Sequence, residues 1–183
     1  MRLRIAMGVL LIVTGAAQTT LASSDERLIT RVKGLGDEFT SLIREGDRRS
    51  ETFRAMVDEI QASNAVVMIQ FGLCAKGQFR SCVSHVGATG GTRTIRILIN
   101  PKLTMDRVIA MIAHELQHAV EIIRSGAANQ DEVMTLYRRI AIGECAKGRS
   151  DRCETDAALA VEKRVLDELD RPQTSRHPGG VPR

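Results

Sequence analysis

Aromatic residues are scarce in this sequence of 183 residues, which has no Trp, one Tyr and four Phe. The core must therefore be built from Leu, Ile, Val, Met and Ala, and a core of this composition favours helices. Hydrophobic residues make up 43% of the chain and charged residues 26%, as in ordinary globular proteins. Length and composition together predict one globular domain and argue against two.

A long hydrophobic run is also lacking. The apolar segment at residues 5–13 is much shorter than the roughly 20 residues that a membrane-spanning helix needs. It follows Arg2 and Arg4 and precedes small and polar residues, which is the order of a secretory signal peptide. We expect residues 1–22 to be such a peptide and the protein to be exported, either to the periplasm or as a secreted protein, with no stable membrane anchor after cleavage. A retained anchor is the alternative, whereas lipid attachment has no support because no Cys lies near Ala22.

The sequence has no large excess of charge of one sign. Loss of the signal peptide removes Arg2 and Arg4, so the 26 basic residues become 24 against 22 acidic ones, and the formal net charge falls from +4 to +2. A nearly balanced protein offers no general electrostatic attraction for nucleic acid. We therefore expect no nucleic-acid partner.

Only four cysteines are present, in two similar segments that each begin Cys-Ala-Lys-Gly. Four cysteines allow three pairings, and a sequence alone does not choose between them. Gly and polar residues within each segment favour a turn, so we expect Cys74 to pair with Cys82 and Cys145 with Cys153, as exported proteins permit. A zinc site made of all four cysteines is the alternative, although such sites have closer spacing within each pair.

Hydrophobic periodicity predicts one α+β domain over residues 23–170, followed by a disordered tail at residues 171–183. Helices are expected at residues 25–45, after a cap at Ser50, and at residues 105–125, 131–141 and 154–169. Thr104 is expected to cap the helix at residues 105–125 and Gly126 to close it. Strands are expected at residues 65–73, 79–86 and 94–100. The simplest assembly of these strands is a small, mostly antiparallel, three-stranded sheet.

Two histidines four residues apart occupy the predicted helix at residues 105–125, in the motif His114-Glu115-Leu116-Gln117-His118. Positions four apart lie about 40° from each other around a helix, so both imidazoles can bind one ion. Glu115 lies about 100° around the axis, where its carboxylate can reach a water on the metal rather than the metal itself. This is the arrangement of a zinc hydrolase in which Glu115 is the general base.

A surface helix that carries two histidines by chance is the alternative explanation of the motif. The flanking residues argue against it, because they make the helix apolar nearly all round: Val108, Ile109, Met111, Ile112, Ala113, Leu116, Ala119, Val120, Ile122 and Ile123. Such a helix should be buried, and buried His and Glu without partners are costly in free energy. We therefore expect His114 and His118 to bind a metal, with Zn²⁺ as the cofactor.

With this motif the sequence resembles the zincin metallopeptidases, and the region after the signal peptide looks like a small version of that fold. The resemblance implies a sheet packed on the long active-site helix, with the strand at residues 94–100 as an edge strand that binds the substrate backbone. It also implies a peptide or another amide-containing substrate. The metzincin branch is excluded, because Glu121 and Arg124 stand where its longer motif has Gly and His.

The gluzincin branch, which has a third carboxylate ligand on a later helix, remains open. The segment around Glu154 resembles that ligand helix, which implies Glu154 as the third metal ligand and Asp156 as a residue that orients a ligand histidine. The spacing and neighbours of Glu154 depart from the thermolysin pattern. Glu144 and Glu121 compete for the role, although Glu121 lies two turns from His114 and is expected to form an outer contact or an ion pair.

Tyr137 is the only tyrosine in the chain. Zincins often stabilise the oxyanion with a Tyr or His, so the resemblance implies Tyr137 as a catalytic residue. Packing is the alternative role, because Tyr137 shares one side of its helix with Val133, Met134 and Ile140.

The sequence therefore predicts an exported zinc peptidase in which His114, His118 and Glu154 hold the metal. One alternative is a zinc-stabilised binding protein that has the same scaffold but no turnover, and another is an interaction domain held by disulfides. Glu115 favours the peptidase, because a purely structural metal site needs no proton-transfer carboxylate.

Overall fold

The computed structural model describes residues 27–74, 80–100, 103–143, 145 and 153–171, so the predicted signal peptide and nearly all of the predicted tail lie outside the described residues. The described chain is α+β, as predicted. Its elements are β1 (Val32–Gly34), α1 (Asp37–Arg49), α2 (Glu51–Gln61), β2 (Ala65–Phe71), β3 (Ser81–Thr89), β4 (Thr92–Ile99), α3 (Met105–Ser125), α4 (Gln130–Ile140) and α5 (Asp156–Leu169).

The strands form one mixed sheet of four strands in the order β1-β2-β4-β3. Strand β2 is parallel to both β1 and β4, and only β3 and β4 are antiparallel. The prediction of a three-stranded, mostly antiparallel sheet was therefore wrong. The reason is the tight turn at Gly90 and Gly91, whose positive φ angles of 58° and 77° join β3 and β4 directly as a hairpin. Strand β4 consequently lies between β2 and β3.

The prediction of one helix over residues 25–45 was also wrong. Part of that segment forms β1, and α1 begins only at Asp37. A Cβ at Gly34 would lie 2.5 Å from the backbone nitrogen of Thr40, so the chain passes α1 too closely for any side chain, and Gly36 has a φ of 104°. Of the apolar residues at helical spacing, Val32 in β1 and Phe39 and Leu42 in α1 join one core, whereas Leu28 and Leu35 are exposed.

Helix α3 packs against the sheet and is buried nearly all round, as its composition predicted. Alternate side chains of a strand point to the same face. In β2 and β4 the residues of one face are completely buried: Ala65, Val67, Ile69, Ile95, Ile97 and Ile99. Because burial of one Val or Ile side chain contributes roughly 1.5–3 kcal/mol, this face holds α3 firmly in place.

Two disulfides, Cys74–Cys82 and Cys145–Cys153, confirm the predicted local pairing. No sulfur remains free for a four-cysteine zinc site. Disulfides are typical of oxidising compartments, so both bonds are compatible with export. None of the helices in the described ranges is long and apolar enough to cross a membrane.

The end of α5 is held against the start of α2 by Glu168. Its carboxylate accepts hydrogen bonds from the hydroxyls of Ser50 and Thr52, and from the Thr52 backbone N–H at 3.1 Å. Ser50 caps α2 as predicted, since its Oγ accepts from the Phe53 N–H at 2.9 Å. A carboxylate at a helix N-terminus is also favoured by the helix dipole. This contact positions α5, on which much of the site described below depends.

Glu168→Gln should lower the free energy of unfolding by about 1 kcal/mol at neutral pH. This is less than the full value of hydrogen bonds to a charged group, because Glu168 is only partly buried and solvent screens its charge. Burial opposes ionisation of Glu168, but hydrogen bonds from Ser50 and Thr52 outweigh it and lower its pKa below the usual 4.5. The advantage of the wild type over the variant should therefore be complete above pH 4.5 and should disappear as the pH falls through the lowered pKa. Denaturant unfolding over this pH range measures the difference.

The control for this prediction is Asp167→Asn, which changes an exposed carboxylate one residue away. It should alter stability by no more than about 0.5 kcal/mol. An advantage over Glu168→Gln that persists at low pH would contradict the prediction.

Candidate metal centre

The motif at residues 114–118 lies in the middle of α3. Exposure is 6% for His114, 3% for Glu115 and 4% for His118. The helix ends were predicted correctly: Thr104 occupies the N-cap position, although its side chain makes no capping hydrogen bond, and Gly126 closes the helix with a φ of 80°. The motif is therefore enclosed in the core, where its polar groups need protein partners or a bound ion.

Glu154 brings its carboxylate to both histidines. Its Oε1 atom lies 3.3 Å from Nε2 of His114 and 3.6 Å from Nε2 of His118. One potential ligand atom from each of the three residues lies within 4.8 Å of the other two. The three residues that the sequence predicted as metal ligands thus form a group that can hold a metal ion.

Glu154 lies before α5 and not in it. The predicted helix at residues 154–169 began too early, because Thr155 is the N-cap with an extended backbone and its Oγ1 accepts from the Ala158 N–H at 3.1 Å. The Glu154 carbonyl instead accepts a hydrogen bond from the Ile142 N–H at 2.8 Å. The third carboxylate therefore comes from an extended segment that leads into the helix.

Each histidine has a further carboxylate near its other ring nitrogen. Nδ1 of His118 lies 2.9 Å from Glu121 Oε2, and the Thr155 hydroxyl donates to Glu121 Oε1 at 2.7 Å. Nδ1 of His114 lies 3.3 Å from Glu162 Oε2, at an angle outside that of a hydrogen bond. Carboxylates in these positions orient metal-binding imidazoles and increase their basicity. The outer contact expected of Glu121 is thus present.

Glu162 was missed by the sequence analysis, which gave the orienting role to Asp156. Asp156 is exposed, whereas Glu162 is 9% exposed. Glu162 lies on the buried face of α5, together with Ala158, Val165 and Leu169. A carboxylate at helical spacing within an apolar stripe needs a buried partner, and this signal was present in the sequence.

The carboxylates around His118 favour positive charge at the centre. Burial opposes protonation of His118, but hydrogen bonds with Glu121 and Glu154 outweigh it and raise its pKa to about 10. Burial also raises the pKa values of Glu121 and Glu154, yet the contacts with His118 prevail and lower both. Burial and the charge of His118 lower the pKa of His114. A metal cation between the rings would supply the positive charge while both imidazoles stay neutral.

A cavity of about 510 Å³ opens onto the three ligands, and Glu115 and Tyr137 line it. Burial raises the pKa of Glu115, whose Oε2 has no hydrogen-bond partner among the described residues. Tyr137 is 5% exposed, and its ring meets His118 edge-on with the ring centroids 5.5 Å apart. Its hydroxyl also lacks a hydrogen-bond partner in the described ranges. Both predicted catalytic residues therefore lie at the cavity, each with an unpaired polar atom.

Strand β3 borders this cavity through its first residues, Ser81 to Ser84. It is also an edge of the sheet, whereas β4 is internal. The prediction of an edge strand at residues 94–100 was therefore wrong, because the hairpin turn inserts β4 between β2 and β3. Of the competing third ligands, Glu144 lies outside the described residues.

No family model, no curated protein and no solved structure matches this chain. The assignment of the centre rests on the donor atoms and carboxylates described above.

His118→Ala should weaken metal binding strongly. The wild-type protein should bind one divalent metal ion per chain, and the variant's affinity should fall at least about a hundredfold, which exceeds the usual effect of an outer residue. The variant loses one of three donors and leaves Glu121 and Glu154 without the imidazole between them. Metal analysis of the dialysed proteins and chelator competition measure the two quantities.

His85→Ala provides the control for this prediction, because His85 is exposed on β3. Its metal content should equal that of the wild type. Equal metal affinity in His118→Ala and the wild type would contradict the assignment of the centre.

Proposed function

We propose that this protein is an exported zinc-dependent hydrolase of the metallopeptidase type that cleaves a peptide or another amide. The observation that carries the proposal is the convergence of His114, His118 and Glu154 beside the buried carboxylate of Glu115 at one cavity. A metal site that only stabilises a fold is usually closed by four protein ligands and has no need of a further carboxylate beside it. The open cavity supports a centre that acts on a substrate.

The donor set fits zinc better than the other common biological metals. Two imidazoles and one carboxylate form many catalytic zinc sites and leave one position open. Mg²⁺ and Ca²⁺ prefer oxygen ligands throughout. When bound, zinc polarises a substrate carbonyl and lowers the pKa of a water ligand from about 15.7 to about 7. The outer carboxylates, Glu121 and Glu162, fit this assignment because they orient imidazoles and add negative charge around a divalent cation.

Glu115 is the proton-transfer residue in this proposal. It follows His114 directly on α3, it is almost completely buried, and burial raises its pKa. A raised pKa brings a carboxylate closer to the value that general acid–base catalysis needs near neutral pH. Glu115 takes a proton from the attacking water and then donates it to the departing amine.

Glu115→Gln should lower kcat by about 10²- to 10⁴-fold, the range typical of general acid–base catalysis, while zinc content stays at one per chain. The amide has nearly the same shape as the carboxylate but cannot accept the proton. Turnover of a quenched fluorescent peptide library and metal analysis on the same samples measure the two effects. The control is Glu59→Gln, which removes a surface ion pair with Arg124 and should leave kcat unchanged.

Zinc in the wild type without turnover of any peptide or ester would contradict the hydrolase. That result would instead favour the zinc-stabilised binding protein.

Tyr137 is the proposed oxyanion donor. Its hydroxyl has no hydrogen-bond partner among the described residues, and a buried hydroxyl without a partner is unfavourable. Its ring lies against His118, so the residue is already part of the centre. A hydroxyl donor beside the reacting carbonyl stabilises the negative charge that develops on the oxygen.

Tyr137→Phe should lower kcat by about 10²- to 10³-fold, with little change in KM or zinc content, because only the transition state carries the oxyanion. The substitution keeps the ring, and therefore its packing against His118, in place. Steady-state kinetics on one peptide substrate separate kcat from KM. An unchanged kcat would assign Tyr137 to packing alone.

Export is supported by the two disulfides and by the signal-like sequence at residues 1–22. Stable disulfides belong to compartments outside the reducing cytosol. The expected partner is therefore an extracytoplasmic peptide or other amide.

A further inference from the structure

The residue before Glu154 is held by a disulfide. Cys153 is half-buried and lines the cavity, and its partner Cys145 is fully buried. Glu154 precedes α5, so helical hydrogen bonds do not fix its backbone. Its carbonyl has one backbone partner, the Ile142 N–H. The disulfide is the covalent element that anchors this extended segment next to the centre.

We infer that the Cys145–Cys153 disulfide is a positioning element for the third zinc ligand, so that zinc affinity depends on the oxidation state of this pair. The inference rests on the proposed zinc centre. His114 and His118 are fixed by the buried helix α3, whereas Glu154 must be brought to them from another segment. Metal–ligand distances tolerate only a few tenths of an ångström, so a ligand whose support is loose binds weakly.

The redox step is the ordinary one for a cysteine pair. Oxidation of the two thiols forms the S–S bond and releases two electrons and two protons, which a disulfide-containing oxidant takes up as it becomes a dithiol. Before this step Glu154 is held at the imidazoles less firmly, by the Ile142 hydrogen bond and the adjacent Thr155, and zinc binds more weakly. After the step the Glu154 carboxylate is held beside the two imidazoles, so all three ligands can bind one ion. The centre is consequently completed in the oxidising compartment, after export.

The other disulfide provides a matched control within the same chain. Cys74–Cys82 has the same sequence separation of 8 as Cys145–Cys153, and it also joins a buried cysteine to a half-buried one. Each bond therefore lowers the conformational entropy of the unfolded chain by about the same amount. Cys74 and Cys82 also line the cavity, but neither is next to a metal ligand in the sequence. Removal of either disulfide should lower stability, whereas only removal of Cys145–Cys153 should displace a metal ligand.

The test compares Cys145→Ala/Cys153→Ser with Cys74→Ala/Cys82→Ser, because these substitutions leave no free thiol in the broken pair that could itself bind zinc. Zinc affinity is measured by competition with a chromogenic chelator. The first variant should lose about 10- to 100-fold in affinity, the range seen when support of a metal ligand is removed. The second should stay within about threefold of the wild type. Thermal unfolding of the metal-free proteins should show similar losses for both.

A double-mutant cycle separates positioning from a general effect. If the disulfide acts through Glu154, its removal in a Glu154→Gln background should lower zinc affinity no further than Glu154→Gln does alone. Additive losses would overturn the inference, as would equal zinc affinities of the two disulfide variants. Either result leaves the proposed hydrolase standing.

A second measurement applies if Cys145→Ala/Cys153→Ser fails to fold. In Cys74→Ala/Cys82→Ser loaded with zinc, Cys145–Cys153 is the remaining disulfide. A phosphine reduces this disulfide to two thiols, and the phosphine becomes its oxide with oxygen from water. Zinc release to the chelator should then accelerate at least tenfold, and an unchanged rate would overturn the inference. A wild-type protein that binds no zinc would overturn both this inference and the proposed function, whereas zinc binding without hydrolysis would overturn the hydrolase alone.

Discussion

Burial of two imidazoles within α3 is the constraint on which the rest of the structure depends. Both rings are more than nine-tenths buried and face only the cavity, so most of their polar partners must come from the chain or from a bound ion. Glu121 comes from α3 itself, but Glu154 comes from the extended segment before α5 and Glu162 from the interior of α5. Helix α5 must therefore dock on α3 before the centre exists, and Glu168 at its other end fixes the same helix to α2. The same position of α5 thus packs the helix against its neighbours and brings the carboxylates of Glu154 and Glu162 to the histidines.

The features that the sequence predicted correctly are those whose causes lie within a few residues. His114 and His118 share a helix face because of their spacing, and the apolar residues around them require burial. Gly126 ends α3 because its backbone adopts a positive φ at the C-terminus. The cysteine pairs also close locally. Glu154 was placed through a family resemblance, and its approach to both imidazoles agrees with that assignment although its segment is extended rather than helical.

The features that sequence reasoning missed depend on contacts between distant segments. Helical spacing did not distinguish one long helix from β1 followed by α1, because Val32 and Phe39 fit the core in either arrangement. The close approach of Gly34 to Thr40 decides between them. Strand order depends on the turn at Gly90 and Gly91, which pairs β3 with β4 and leaves β2 parallel to β4. The contact of Glu162 with His114 became evident only when α5 was seen against α3, although the position of Glu162 in an apolar stripe marked it as unusual.

The position of α5 late in the chain has a consequence for how the protein folds as it is made. Ribosomes deliver α3 before α5, so both imidazoles emerge before Glu154 and Glu162 are available. During that interval α3 cannot bury its polar face without leaving it unpaired, and its histidines must stay hydrated. The sheet hairpin and the α1–α2 pair need nothing from α5 for their own local contacts and can form earlier. Closure of the core around α3 therefore waits for α5, so the last helix of the described residues is the one that completes this core.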